Sequence, residues 1–216
     1  MTNFADRRLT MVDSQIRTAD VTKFPVLDGF LTVPREQFVP ASRIETAYAD
    51  ANIPLAPGRV LLEARTQAKM LDVLDIRPDE LVLDIGAGQG YLAAVISRIA
   101  EAVVALEELT DLGDSTAALA AIGADSVAQV SGPLNAGAPQ HGPYDVIVIE
   151  GGIEVLPQAI ADQLKDGGRI AALFMEGQLG TVRIGYKSGG TISWRHAFNA
   201  SAPVLPGFAA PPVFAL

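Results

Sequence analysis

The 216-residue sequence predicts an α/β fold: a mostly parallel sheet with helices on both faces, a helical cap at the N-terminus and an antiparallel hairpin near the C-terminus. Three observations carry that expectation. From residue 80 onward, short apolar runs alternate with helical stretches, which implies strands joined by crossover helices. A glycine-rich turn follows the first of those runs, at Gly86, Gly88 and Gly90. Two segments rich in β-branched and aromatic residues flank Gly189-Gly190, as in a two-residue hairpin.

In chain order, residues 1–47 read as helical and amphipathic, with Met11, Ile16, Phe24, Val26, Leu27, Phe30, Leu31 and Phe38 as apolar contacts and Val33-Pro34-Arg35-Glu36 as an interruption. Arg35 and Glu36 read as a turn with an ion pair between them. Tyr48 to Gly58 holds two prolines and little periodicity, so it reads as an irregular connection. Residues 1–58 therefore form a cap with its connecting loop, and 59–216 a single compact domain. Ala64 to Leu74 spaces Ala68, Leu71 and Leu74 on one helical face. Strands follow at Leu81–Ile85, Val103–Leu106, Val127–Val130, Val146–Ile149 and Arg169–Phe174, with helices at Leu92–Ile99, Leu112–Ile122 and Leu156–Leu164. The hairpin pairs Thr181–Tyr186 with Thr191–Trp194, where Trp194 reads as packing, and Pro212–Leu216 offers one last strand.

Bulk composition bounds the function. With 49% hydrophobic and 19% charged residues the chain is globular and can bury one sizeable core. A net charge of −9 without any run of Lys or Arg argues against a nucleic-acid partner, since phosphate recognition needs clustered cations. The chain has no cysteine and its two histidines, His141 and His196, are scattered, so no metal site is expected. The first 17 residues mix charges of both signs and no 18-residue apolar run appears, which gives the expectation of a cytoplasmic protein with no membrane partner.

The segment Asp84-Ile85-Gly86-Ala87-Gly88-Gln89-Gly90 lies at the carboxyl edge of the first predicted strand, where doubly wound sheets bind ligands. Glycines there permit positive φ and close approach of a ligand, and the next helix offers unpaired N–H groups to an anion. A glycine triplet alone also suits an ordinary tight turn. Glu107, 17 positions past Gly90 at the end of the second predicted strand, adds an acid able to accept both hydroxyl hydrogens of a ribose. The spacing is G-x-G-x-G, and Tyr91 stands where a dinucleotide fingerprint has its third glycine, so the loop favours S-adenosylmethionine (SAM) over NAD in a Rossmann-like fold.

Six segments together resemble the protein-L-isoaspartate O-methyltransferase family: VPREQFVP at 33–40, YADANIPL at 48–55, AKMLDVL at 68–74, LVLDIGAGQGYLAAV at 81–95, PYDVIVIEGG at 143–152 and QLKDGGRI at 163–170. The resemblance covers about residues 10–175, and the last 40 residues match poorly. It implies a SAM-dependent methyltransferase fold, with Asp84, Gly86, Ala87, Gly88 and Gly90 in the cofactor loop and Glu107 on the ribose. The family's third strand ends in a Gly-Asp-Gly whose acid reaches the adenine. Gly132-Pro133-Leu134 stands there in this chain, which leaves Pro133 and its neighbours to hold adenine by backbone and apolar contact.

The acceptor side departs further from the family. Leu62 falls on the family's serine beside the reacting carboxylate, and leucine neither donates nor accepts a hydrogen bond. Glu150, in Ile149-Glu150-Gly151-Gly152, stands where the family has small neutral residues near the transferred methyl. In a desolvated cleft it would repel a carboxylate nucleophile by several kcal/mol. Alternatively it pairs with Arg59 or Arg65, or faces solvent. No catalytic residue is therefore assigned, and the acceptor stays open, a protein or peptide among the candidates. Two functions follow: a SAM-dependent methyltransferase with isoaspartyl repair in question, and a SAM-binding non-catalytic or regulatory protein on the same fold. An NAD-dependent dehydrogenase is disfavoured by Tyr91.

Overall fold

The computed structural model describes residues 3–109, 112 and 115–211. The predicted strand at Pro212–Leu216 lies outside the described residues.

Among the described residues, nine strands and six α-helices follow one another. The cap contains α1 (Phe4–Met11) and α2 (Phe24–Thr32), then 3-10 turns at Arg35–Phe38 and Ala41–Thr46. Next come β1 (Ile53–Ala56), β2 (Arg59–Leu61) and α3 (Ala64–Leu74). The main alternation is β3 (Leu81–Ile85), α4 (Tyr91–Ile96), β4 (Ala102–Glu107), α5 (Thr116–Ala121), β5 (Val127–Ser131), β6 (Tyr144–Ile153), α6 (Gln158–Gln163) and β7 (Leu164–Glu176). The hairpin is β8 (Leu179–Ser188) with β9 (Thr191–Asn199).

The seven-stranded sheet has the order β5-β4-β3-β6-β7-β8-β9, parallel from β5 to β7 and antiparallel through β8 and β9. Strand order reverses beside β3, so a crevice opens at the carboxyl ends of β3 and β6. Alternating residues face opposite layers. Val82, Val103, Val146 and Ala171 join α3, α4 and the cap in one apolar cluster. Leu83, Val104, Ile147 and Ile170 join α6 and residues 205 and 208 in another.

Three local differences from the sequence expectations bear on the cleft. The segment 48–58 is not wholly irregular: β1 pairs antiparallel with β2 across Gly58, whose φ of 71° suits glycine. Arg35 and Glu36 do not pair with each other. Arg35 is fully buried and donates to the carbonyls of Ala47 (2.9 Å) and Leu62 (2.6 Å) and to Gln67 Oε1 (2.7 Å), while Glu36 takes Arg8 and Tyr48. Tyr91 has a packing reason for its bulk, because its ring lies against Phe30 and Phe38 with the Arg35 guanidinium 4.6 Å above it. The cap is thus bolted to the glycine turn through Tyr91. Trp194 packs edge-on against Phe174, centroids 4.8 Å apart, as hairpin packing requires.

Candidate functional site

The loop after β3 is a glycine turn by necessity. Gly86, Gly88 and Gly90 have φ of 80°, 59° and 86°, all in the left-handed region where a Cβ is costly. Gly86 and Ala87 donate to the carbonyl of Leu106 at 2.9 and 3.2 Å, and Gly90 donates to that of Ala87 at 2.8 Å. These N–H groups close the turn on itself. Asp84 is fully buried beneath it, its carboxyl beside that of Glu150 and the Ala93 amide, and no well-formed hydrogen bond reaches either oxygen among the described residues.

Glu107 ends β4 beside this turn, as expected, but its carboxylate is engaged. Oε1 accepts from the amides of Glu108 (2.8 Å) and Leu109 (3.0 Å), and Oε2 from Gly88 (2.7 Å). Both oxygens also take the Arg59 guanidinium, Nη1 to Oε1 and Nη2 to Oε2, each at 2.7 Å. Arg59 reaches from β2, is 2% exposed, and donates as well to the carbonyl of Gly86 at 3.1 Å. Its Nε has no partner. The guanidinium therefore lies on the carboxylate to which the sequence assigned a ribose.

Glu150 is carried inward by an irregularity in β6. Val148 pairs with Ala171 and Gly152 with Leu173, so β6 advances further than its neighbour between those two contacts and bulges there. Glu150 is 2% exposed, which excludes the solvent-facing alternative. Its partner is neither Arg59 nor Arg65: Oε2 accepts from Gln67 Nε2, and Oε1 has no partner. Arg65 pairs with Glu63 instead. Desolvation pushes the Glu150 carboxyl up to about 8, against the opposing pull of Gln67, Arg35 and Arg59. Asp84 is raised well above the carboxylate range by burial and then by the charges of Glu150 and Glu107. Two carboxyls thus share a dry pocket under the glycine turn, and protonation is what makes that tenable.

A cavity of about 190 Å³ adjoins the turn, lined in part by Ala87, Gly88, Gly90, Glu107 and Gln129. It is smaller than the roughly 300–1,000 Å³ usual for small-molecule sites. Residues 202–208 run as a strap across the carboxyl end of β6, with Gly152 donating to Pro203 O (2.9 Å) and Leu205 to Gly152 O (2.8 Å). Leu205 is buried over the glycine turn and β6: a Cβ on Gly86 would lie 3.5 Å, and one on Gly151 2.5 Å, from its methyl groups.

The sequence model of the protein-L-isoaspartate(D-aspartate) O-methyltransferases matches residues 7–192. The chain belongs to that family. It is 39% identical over 170 residues to protein-L-isoaspartate O-methyltransferase 1 of Rhodopseudomonas palustris (strain HaA2), covering 78% of this chain and 69% of the relative. To the protein-L-isoaspartate O-methyltransferase of Methylorubrum extorquens (strain PA1) it is 36% identical over 167 residues, 77% of this chain and 73% of that one. The fold is shared with a solved protein-L-isoaspartate O-methyltransferase at TM-score 0.79 and 21% identity, covering 95% of this chain and 66% of that structure. A Plasmodium falciparum structure in complex with S-adenosyl-L-homocysteine matches at TM-score 0.77 and 18% identity, over 95% and 99%.

Within this family, whose members are SAM-dependent methyltransferases, the chain's departures become specific. Leu62, which the sequence resemblance aligns with the family's serine, is fully buried in the apolar cluster beside the cap, with its carbonyl held by Arg35. Pro133 follows Gly132, whose amide donates to the carbonyl of Glu107 at 3.1 Å, and precedes the buried Leu134. The structure thus gathers Asp84, Gly86, Ala87, Gly88, Gly90, Glu107 and Glu150 at the carboxyl ends of β3, β4 and β6, and Ala87, Gly88, Gly90 and Glu107 line the cavity. The strap, beyond residue 192, lies outside the family match. Sequence reasoning missed Gln67, although a polar residue on the helical face of Met70, Leu71 and Leu74 was a readable signal. It also missed the contact of Arg59 with Glu107, for which no local pattern exists.

Proposed function

We propose that the chain binds SAM in the crevice between β3 and β6 and transfers its methyl group to an acceptor on a protein or peptide. The observation carrying this reading is the glycine turn at the strand-order switch point, with unpartnered carboxyl oxygens directly beneath it. Asp84 and Glu150 supply acceptors without hydrogen-bond partners, which suit the ammonium of a methionine moiety. Gly86, Ala87, Gly88 and Gly90 would form the wall along it, Glu107 would take the ribose, and Pro133 would flank the adenine. When bound, SAM supplies a methyl on a sulfonium, open to in-line attack by an oxygen or nitrogen. The chain's own contribution is alignment and exclusion of water.

Isoaspartyl repair itself is not part of this proposal. Leu62 offers no hydroxyl to an acceptor carboxylate, and an ionised Glu150 would repel one. The net charge of −9 supports a partner other than nucleic acid. Among the described residues no helix is long and apolar enough to cross a membrane. A cytoplasmic setting, where the cofactor is made, belongs to the same reading.

The test is calorimetry with SAM and S-adenosylhomocysteine, then methyl transfer to an isoaspartyl peptide and its aspartyl control. Binding with transfer to some protein acceptor is the expected result; absence of binding to either nucleoside sinks the proposal. A second reading, a SAM-binding regulatory protein without chemistry, is favoured by one observation: Arg59 holds both oxygens of the acid assigned to the ribose. Binding without transfer to any acceptor would select it.

A further inference from the structure

Arg59 stands out among the buried charged groups because its position conflicts with the cofactor reading. It is almost wholly buried, holds both oxygens of Glu107 at 2.7 Å, and donates to the Gly86 carbonyl at 3.1 Å. A ribose hydroxyl pair and this guanidinium need the same two oxygens. Glu107 does not depend on Arg59 for its own stability, since the amides of Gly88, Glu108 and Leu109 also donate to it.

On the same side, the strap brings Leu205 to within contact of Gly86 and Gly151. The strap is tied down independently: Asn52 donates to Ser201 O at 2.8 Å, and Glu154 and Val155 donate to Phe208 O at 2.9 and 3.1 Å. A cation and a side chain from beyond the family match thus both close on Gly86.

We propose that Arg59 determines the affinity and specificity of the cofactor crevice: an adenosyl ligand binds only by exchanging with the guanidinium on Glu107, while Leu205 gives way at the Gly86–Gly151 side. This rests on the SAM reading above. A ligand lacking the ribose hydroxyls has nothing to offer Glu107 in return and is rejected.

The experiment is titration calorimetry of S-adenosylhomocysteine and its 2′,3′-dideoxy analogue into the full chain and into Arg59→Gln, Arg59→Lys and Leu205→Ala, each checked for folding by circular dichroism. Arg59→Gln should bind S-adenosylhomocysteine tenfold or more tightly than the unmodified chain, and Leu205→Ala severalfold. Arg59→Lys, which keeps the charge but loses the two-point fork, should fall between, and it serves alone if the Gln variant does not fold. Equal affinity with and without Arg59, or weaker binding without it, overturns the exchange while leaving the cofactor reading intact. No binding by any folded variant overturns the cofactor reading, and the exchange with it.

Discussion

Arg59 on β2 and Glu107 at the end of β4, 48 positions apart, face each other across the glycine turn in a two-point contact of 2.7 Å per bond. A guanidinium buried to this degree is tolerated because its charge is matched and both terminal nitrogens are bonded. The two partners are not equivalent. Glu107 has three backbone donors besides Arg59, whereas the counter-charge bonded to Arg59 is Glu107 alone.

Removing the acid should therefore hurt more than removing the base. Glu107→Ala leaves an uncompensated buried guanidinium and should cost about 3–5 kcal/mol. Urea denaturation would show it as a lowered midpoint. A loss for Glu107→Ala no greater than for Arg59→Gln would contradict the asymmetry.

Stability should fall as pH rises through the range set by Glu150. Its folded value, about 8, lies above the ordinary 4.5, so between these the folded state holds more protons than the unfolded one. The carboxyl's contribution is complete below about pH 4.5, declines as pH rises, and is lost above 8. Asp84 shifts the same way and adds to the slope. Glu150→Gln keeps a neutral acceptor for Gln67 and should flatten the melting temperature between those limits. A slope identical to that of the unmodified chain would show that Glu150 is not its source.

Leu62→Ser tests the acceptor side. Loss of a buried leucine from the cap-facing cluster should cost about 2–5 kcal/mol. The backbone should hold, since Arg35 fixes the Leu62 carbonyl and not the side chain. We expect methyl transfer to an isoaspartyl peptide to rise above the unmodified level in a radiolabel assay. If the rate does not move, the obstacle is Glu150, and Leu62→Ser with Glu150→Gly should then show transfer.

Gly151→Ala probes the strap. The new methyl would meet Leu205 at 2.5 Å, which forces that side chain aside. The cost should be about 1–3 kcal/mol. Amide exchange at Leu205 should quicken while that of β3 stays slow, and a uniform change across the sheet would refute local loosening.

How much of this was legible in the sequence follows from distance along the chain. β3, β4, β6 and β7 each announce themselves by an apolar run, and the turn with Glu107 is a short-range pattern. β1 and β2 are hidden because Pro54, Pro57 and Gly58 mask a three-to-four-residue pairing. β6 outruns its apolar stretch because Glu150, Gly151 and Gly152 carry no strand signal, yet the neighbouring β7 holds them. The contacts that decide the site join residues far apart: 48 positions from Arg59 to Glu107 and 83 from Gln67 to Glu150. Periodicity shows which face such a residue lies on, and only the fold shows what it meets there.

The strap is also the last described piece of the crevice to leave the ribosome, after every strand that frames it has been made. While the chain is still being synthesised, the mouth between β3 and β6 has no Leu205 over it.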